Sequence, residues 1–219
     1  MAAAPPLADR RRGVRSPRGE HRRSRRRRLT GDGLVVVLAI AVAVLVRAFV
    51  AQVYWIPSAS MVPQLRVDDR VVVSRLAYHL HPVHRGDIVV FDSPPGIEAG
   101  SGAPSDPVAR AIHDVGVALG FAPDQTVLIK RVIGLPGDRI SARGGRVYVD
   151  GERLDEPYLP RGTFTSSFGP VTVSAGQVWV MGDNRSDSED SRVFGAVPMA
   201  TIVGRAVWKV WPLWRASFL

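Results

Sequence analysis

Leu128-Ile129-Lys130-Arg131-Val132-Ile133-Gly134-Leu135-Pro136-Gly137-Asp138 decides how this chain folds. An apolar, β-branched run ends in Leu-Pro-Gly-Asp, so the stretch reads as a strand over Thr126 to Ile133 that stops at a tight turn. Alternate side chains of a strand share a face, which places Lys130 with Leu128 and Val132. A lysine on an apolar face is unusual. Working outward, similar short runs occur at Arg70 to Ser74, Asp87 to Phe91, Arg146 to Asp150, Val171 to Val173 and Gln177 to Met181. Gly144-Gly145 and Gly151 punctuate them, and the result is a β-rich domain. One amphipathic helix is expected at Val108 to Leu119, where Val108, Ile112, Val115 and Leu119 share a face. Residues 94 to 106 read as a surface insertion.

The N-terminal third is different. Residues 1 to 33 hold 11 Arg against Asp9, Glu20 and Asp32, a net charge of +8, and contain few large apolar groups. Such a segment cannot bury enough surface to fold alone. Leu34 to Val46 then carries no charge, and apolar character continues past Arg47 to Ala51. Eighteen helical residues reach about 27 Å, close to the hydrocarbon thickness of a bilayer. The reading is a basic disordered cytoplasmic tail over 1–33, a transmembrane helix over 34–53 and an extracytoplasmic β-rich domain over 54–219. Arg47 snorkels at the outer end, Tyr54 and Trp55 supply an interface belt, and the Arg cluster marks the cytoplasmic flank.

Charge and cysteine content exclude several classes of function. The remaining 186 residues carry 18 basic and 17 acidic groups, net +1, so the body lacks the basic face of a nucleic-acid-binding domain. With no cysteine in the chain, thiolate nucleophiles, cysteine zinc sites and disulfides are all unavailable. No metal or organic cofactor is expected, and no nucleic-acid partner.

Two oddities explain each other chemically. Ile56-Pro57-Ser58-Ala59-Ser60-Met61-Val62-Pro63 taken alone is two serines between prolines, which reads more readily as a turn than as an active site. Burial of Lys130 would lower its pKa, so that a neutral amine takes the proton of a serine hydroxyl. Such a pair needs no histidine, and the five histidines lie away from both motifs. A third polar stretch, Met181-Gly182-Asp183-Asn184-Arg185-Ser186-Asp187-Ser188-Glu189-Asp190-Ser191-Arg192, follows a strand. Most of it reads as a solvated turn braced by Asp190 and Arg192.

Together with Arg85-Gly86-Asp87-Ile88-Val89, these blocks resemble the type I signal peptidases, the bacterial leader peptidases with a Ser/Lys dyad. The family pattern runs P-S-x-S-M, R-G-D-I-V, K-R-x-x-G-x-P-G-D and G-D-N-R-x-x-S-x-D-S-R, in this order. The resemblance covers Leu34 to Leu213.

It implies a mostly β, antiparallel catalytic domain of two merged sheets on a single N-terminal transmembrane helix, in the plasma membrane. Its implied activity is cleavage of signal peptides from exported preproteins after small residues. Ser60 is then the nucleophile and Lys130 the general base. The Ser60 backbone N–H and Ser58 hydroxyl form the oxyanion hole, Ser188 orients Lys130, and Asp190 and Arg192 form a structural salt bridge. Ile56, Pro57, Met61, Leu65, Leu128 and Ile129 match the substrate pockets, and the partners are signal peptides and the lipid bilayer.

Two departures stand out. Asp68 occupies a position where relatives often have Gly, and Ser186-Asp187 replaces a common Asp-Asn. The Trp208 to Trp214 run suits either an apolar surface resting on the membrane or core packing. Rival readings are a maturation peptidase of conjugal transfer, a Ser/Lys self-cleaving repressor, and a non-catalytic membrane scaffold with a lipid- or nucleic-acid-binding tail.

Overall fold

The computed structural model describes residues 35–39, 51–97, 106–118 and 126–219. The chain divides into two units, Met1–Val44 and Leu45–Leu219. In the first, residues 35–39 are helical, and Val35 to Leu38 are each more than half exposed. Among the described residues no helix is long and apolar enough to cross a membrane. Most of the expected span, and all of the expected tail, lie outside them.

The second unit is built from strands β1 (Ala51–Trp55), β2 (Arg70–Ser74), β3 (Ile88–Asp92), β4 (Val127–Gly134), β5 (Arg139–Arg143), β6 (Arg146–Val149), β7 (Glu152–Arg153), β8 (Phe168–Thr172), β9 (Gln177–Met181), β10 (Val197–Pro198), β11 (Ile202–Trp211) and β12 (Ser217–Phe218). The large sheet runs β1-β2-β11-β3-β4-β9-β10, with β12 on β11, and the small one runs β7-β6-β5-β8. Every pairing is antiparallel. The helices are α1 (Ala77–Leu80), α2 (Pro107–Ala118) and α3 (Ser191–Phe194).

The period of two in the sequence sorts residues between cores. Ile88 and Val90 of β3 join Tyr54, Ile56, Met61, Leu65, Val71, Val73 and Ile129 on one face. Their neighbours Val89 and Phe91 pack on the opposite face with Val132, Val178 and Val180. A third cluster, with Ile133, Ile140, Val147, Trp179 and Met181, lies where the small sheet meets the large one. Strands β3 and β4 are buried on both faces, which is why both read as nearly continuous apolar runs.

Three expectations are corrected. Residues 51–53, counted with the transmembrane helix, belong to β1, whose partner β2 pairs Ala51 with Ser74 and Trp55 with Arg70. Tyr54 is a buried core residue and not part of an interface belt, whereas Trp55 is half-buried and donates its indole N–H to Asp68 Oδ1 at 3.0 Å. The third concerns the long strand β11, which sequence reading did not recognise; Gly204, Arg205 and Lys209 interrupt its apolar pattern. The α2 helix begins one residue earlier than expected, and Leu119 falls outside the described residues.

The C-terminal run is not core. Trp208 and Trp211 are each 44% exposed, Leu213 71% and Trp214 81%.

Candidate active site

The segment between β1 and β2 carries Ser58 and Ser60. It is closed at its base by Ile56 N–H donating to Asp69 O at 2.9 Å and Asp68 N–H donating to Ile56 O at 3.0 Å. The returning corner puts Asp68 at φ +68°, the left-handed region that favours glycine. That accounts physically for the Gly expected there, and the Trp55 bond anchors the aspartate in its place. From the C-terminal end, Arg215 pairs with Asp69 at 2.8 Å and Lys209 Nζ donates to Gln64 O at 3.1 Å. The corner around Ser60 is therefore held from both sides.

β4 delivers Lys130 to this corner. Lys130 Nζ donates to Ser60 Oγ at 2.8 Å across 70 residues of sequence, and both residues are buried. Burial pushes the Lys130 ammonium down to about 8, while Asp190, Glu189 and Asp183 pull weakly the other way. Ser58 Oγ lies 3.2 Å from Ser60 Oγ. Ser58, Ser60, Leu128, Lys130 and Ser188 line one cleft of about 260 Å³, as the alternation of Leu128 and Lys130 requires.

The remaining expected residues separate into groups. Ile56, Pro57, Leu128 and Ile129 bound a small apolar recess of about 20 Å³ that shares Leu128 with the cleft. Met61 and Leu65 are fully buried in the core beneath the corner and line neither space. Ser188 Oγ is buried in the cleft wall without a hydrogen-bond partner among the described residues, so the bond to Lys130 that the resemblance implies is not formed here.

The polar stretch after β9 is only partly the solvated turn expected: Ser186, Asp187 and Glu189 are exposed, while the rest forms a buried frame that includes the expected Asp190–Arg192 brace. Asp183, Arg185 and Asp190 are each 2% exposed or less. Asp190 accepts from Arg192 through both carboxylate oxygens at 2.7 and 2.8 Å, and its Oδ2 also accepts Gly182 N–H at 3.0 Å. It caps α3 as well, taking Arg192 N–H at 3.1 Å.

Sequence reasoning missed four contributors. Arg131, the neighbour of Lys130, grips Asp183 in a bidentate pair at 2.7 and 2.8 Å and donates to Gly86 O at 2.8 Å. Asn184 N–H donates to Ser60 O at 3.0 Å, and its amide to Ala59 O at 3.2 Å. Arg185 is held by Glu156, Thr165 and Gly182 O. Breaking a buried pair such as Arg131–Asp183 costs about 3 to 5 kcal/mol, because the orphaned charge has no water to return to. Arg85 pairs with Asp138 at 3.0 Å, so the second and third motif blocks meet in space. The available signal was charge packed at high density directly after an apolar strand.

Gly182, whose N–H and carbonyl are engaged by Asp190 and Arg185, leaves no room for a side chain. A Cβ there would stand 2.2 Å from Ser188 Oγ and 2.5 Å from Ser60 O.

The arrangement has counterparts in known proteins. The family model described as signal peptidase, peptidase S26, matches residues 30–211. A signal peptidase I from Leptolyngbya laminosa is 40% identical over 187 residues, covering 85% of this chain and 80% of that protein. A signal peptidase I from Mycobacterium tuberculosis is 36% identical, covering 88% of this chain and 76% of that protein. The crystal structure of a signal peptidase I from Enterococcus faecalis aligns at 26% identity with a TM-score of 0.40, over 58% of this chain and 98% of that one. The family match over most of the chain, together with the identity to full-length relatives, makes this protein a member of the signal peptidase, peptidase S26, family.

Proposed function

We propose that this protein is a membrane-anchored endopeptidase that removes signal peptides from exported preproteins through a Ser60/Lys130 dyad. The observation that carries this reading is the buried contact of 2.8 Å between Lys130 Nζ and Ser60 Oγ at the floor of an open cleft. A lysine whose pKa is lowered by burial supplies a neutral amine near neutral pH. That amine takes the Ser60 proton as Oγ attacks the scissile carbonyl, and the new ammonium then protonates the departing amine. A water deprotonated by the same lysine hydrolyses the resulting ester. The Ser60 N–H and the Ser58 hydroxyl are the proposed donors to the oxyanion.

Specificity follows from the recess beside Leu128. A space of about 20 Å³ accepts a methyl group and excludes an aromatic ring. A signal-peptide substrate with Ala immediately before the cut should be cleaved by the purified protein, and one with Phe there should not. Efficient cleavage after Phe would remove Ile56, Pro57, Leu128 and Ile129 from the substrate pocket.

Ser188 is proposed to position Lys130 during turnover. A buried hydroxyl without a partner costs roughly 1 to 3 kcal/mol, so its retention here has a stability penalty to offset. Ser188→Ala should therefore slow cleavage about 10- to 100-fold and shift its pH dependence, while thermal stability stays level or rises. Unchanged kinetics across pH would exclude Ser188 from the site.

The proposed orientation has the tail in the cytoplasm and the catalytic unit outside. It is supported by the basic cluster before Leu34, the exposed apolar residues Val35 to Leu38, and the exposed Trp211, Leu213 and Trp214, which suit a membrane surface. Protease added to intact spheroplasts should digest the catalytic unit and spare the tail; protection of the catalytic unit would reverse the topology.

A further inference from the structure

The cleft that holds Ser60 and Lys130 has neighbouring hollows on both sides of the Ser60 corner. Across the Ser60 corner lies a groove of about 380 Å³ lined by Val62, Pro63 and Asn184. Asn184 is the residue that bonds the carbonyls of Ala59 and Ser60, so the wall of this groove is also the clamp on the nucleophile. The groove shares Pro160, Gly162 and Thr163 with a second one of about 480 Å³. Arg146, Arg153 and Arg161 line that second groove and are all exposed. None of the three guanidinium groups has a hydrogen bond or ion pair among the described residues.

Charge changes sign across these hollows. Of the carboxylates in the second groove, Glu156 is taken by Arg185 and only Asp155 remains, which leaves an excess of two positive charges. On the far side of Ser60, the cleft instead presents the exposed carboxylates of Asp187 and Glu189. Leu128 joins that cleft to the apolar recess proposed for residues before the cut. An extended peptide with its upstream residues there must leave Ser60 on the Val62–Pro63 side.

We infer that these two grooves bind the first residues downstream of the cut, and that Arg146, Arg153 and Arg161 select acidic side chains among them. This inference rests on the peptidase reading and gives the small sheet a task, since β6 and β7 carry two of the three arginines. Exposed ion pairs contribute a factor of about 1.5 to 5 each and are screened by salt. The grooves therefore act on substrate capture more than on chemistry.

The test uses the purified full chain and peptides cut after Ala. One peptide ends two residues beyond the cut; the others continue for several residues and carry Asp and Glu, Gln, or Lys along the extension. For the acidic extension KM should be about fivefold below that for Gln, with Lys higher still, and the differences should vanish at about 0.5 M salt. Combined Arg146→Gln, Arg153→Gln and Arg161→Gln should equalise the extended peptides and leave kcat and KM for the short peptide unchanged. Equal KM for acidic, Gln and Lys extensions in the wild type would overturn the inference, as would a variant that affects short and extended peptides alike. Failure to cut even the short peptide would sink the peptidase reading itself, and this inference with it.

Discussion

Ser60→Ala and Lys130→Ala should each lower kcat/KM by at least about a thousandfold while leaving thermal unfolding cooperative, and the double variant should be no worse than either single one. The expectation comes from geometry: among the described residues Ser60 has one base within hydrogen-bond reach, and that base is Lys130 at 2.8 Å. Members of one catalytic unit are strongly non-additive, because once either is gone the other has nothing to act on. Lys130→Arg is the discriminating variant. Arginine retains the positive charge and can still face Asp190 and Glu189, but it does not deprotonate in a protein and cannot serve as a base. A purely structural cation at position 130 would tolerate the change. Turnover by Lys130→Arg above the level of Lys130→Ala would therefore move the base elsewhere.

Gly182→Ala should lower the rate by about a hundredfold, although Gly182 has no side chain to do chemistry. Its added methyl group would overlap Ser188 Oγ at 2.2 Å and Ser60 O at 2.5 Å. The Ser188 hydroxyl can rotate away but its Cβ, at 2.6 Å, cannot, and the Ser60 carbonyl belongs to the backbone whose position Asn184 fixes at 3.0 Å. Relief must come from moving the nucleophile, and a displacement near 1 Å costs about a hundredfold in rate. Overpacking of this kind also destabilises by about 1 to 3 kcal/mol. Adding Ser188→Ala removes the Oγ clash but leaves the Cβ of residue 188 at 2.6 Å and the Ser60 carbonyl at 2.5 Å, so the double variant should remain impaired. Recovery to the level of Ser188→Ala alone would show that the Ser60 carbonyl contact is not limiting.

The parts of this molecule that were legible in its sequence are those governed by local pattern. Arg70 to Ser74 and Gln177 to Met181 coincide with β2 and β9, because turn residues bound an alternating or continuous apolar run. Lys130 was conspicuous for the same reason, as a charge inside such a run. The long strand β11 escaped because its bulges and the polar residues Arg205 and Lys209 break the period. Lys209 is accommodated by the distant Gln64 carbonyl, which no local pattern announces.

The polar stretch from Gly182 to Arg192 failed in a different way. Charge density there was read as solvation, which holds for Asp187 and Glu189, yet Asp183 and Arg185 are buried because their partners arrive from far along the chain: Arg131 for Asp183, and Glu156 for Arg185. Pairing over such separations is a property of the fold. Likewise, Met61 and Leu65 look like pocket residues beside Ser60, while the corner turns them downward into the core. Asp68 is the converse case: the sequence showed only a departure from a glycine position, and the fold supplies the reason, a backbone at φ +68°.

The pH dependence of kcat/KM bears most directly on the claim that a neutral Lys130 activates Ser60. Burial lowers the lysine to about 8, so below that value the base is protonated and idle, and above it the amine is free to accept the proton. Cleavage of a good substrate by the wild type should rise about tenfold per pH unit below a midpoint near 8 and level off above it. A midpoint near the ordinary lysine value of about 10.4, or near the histidine value of about 6.5, would contradict the account.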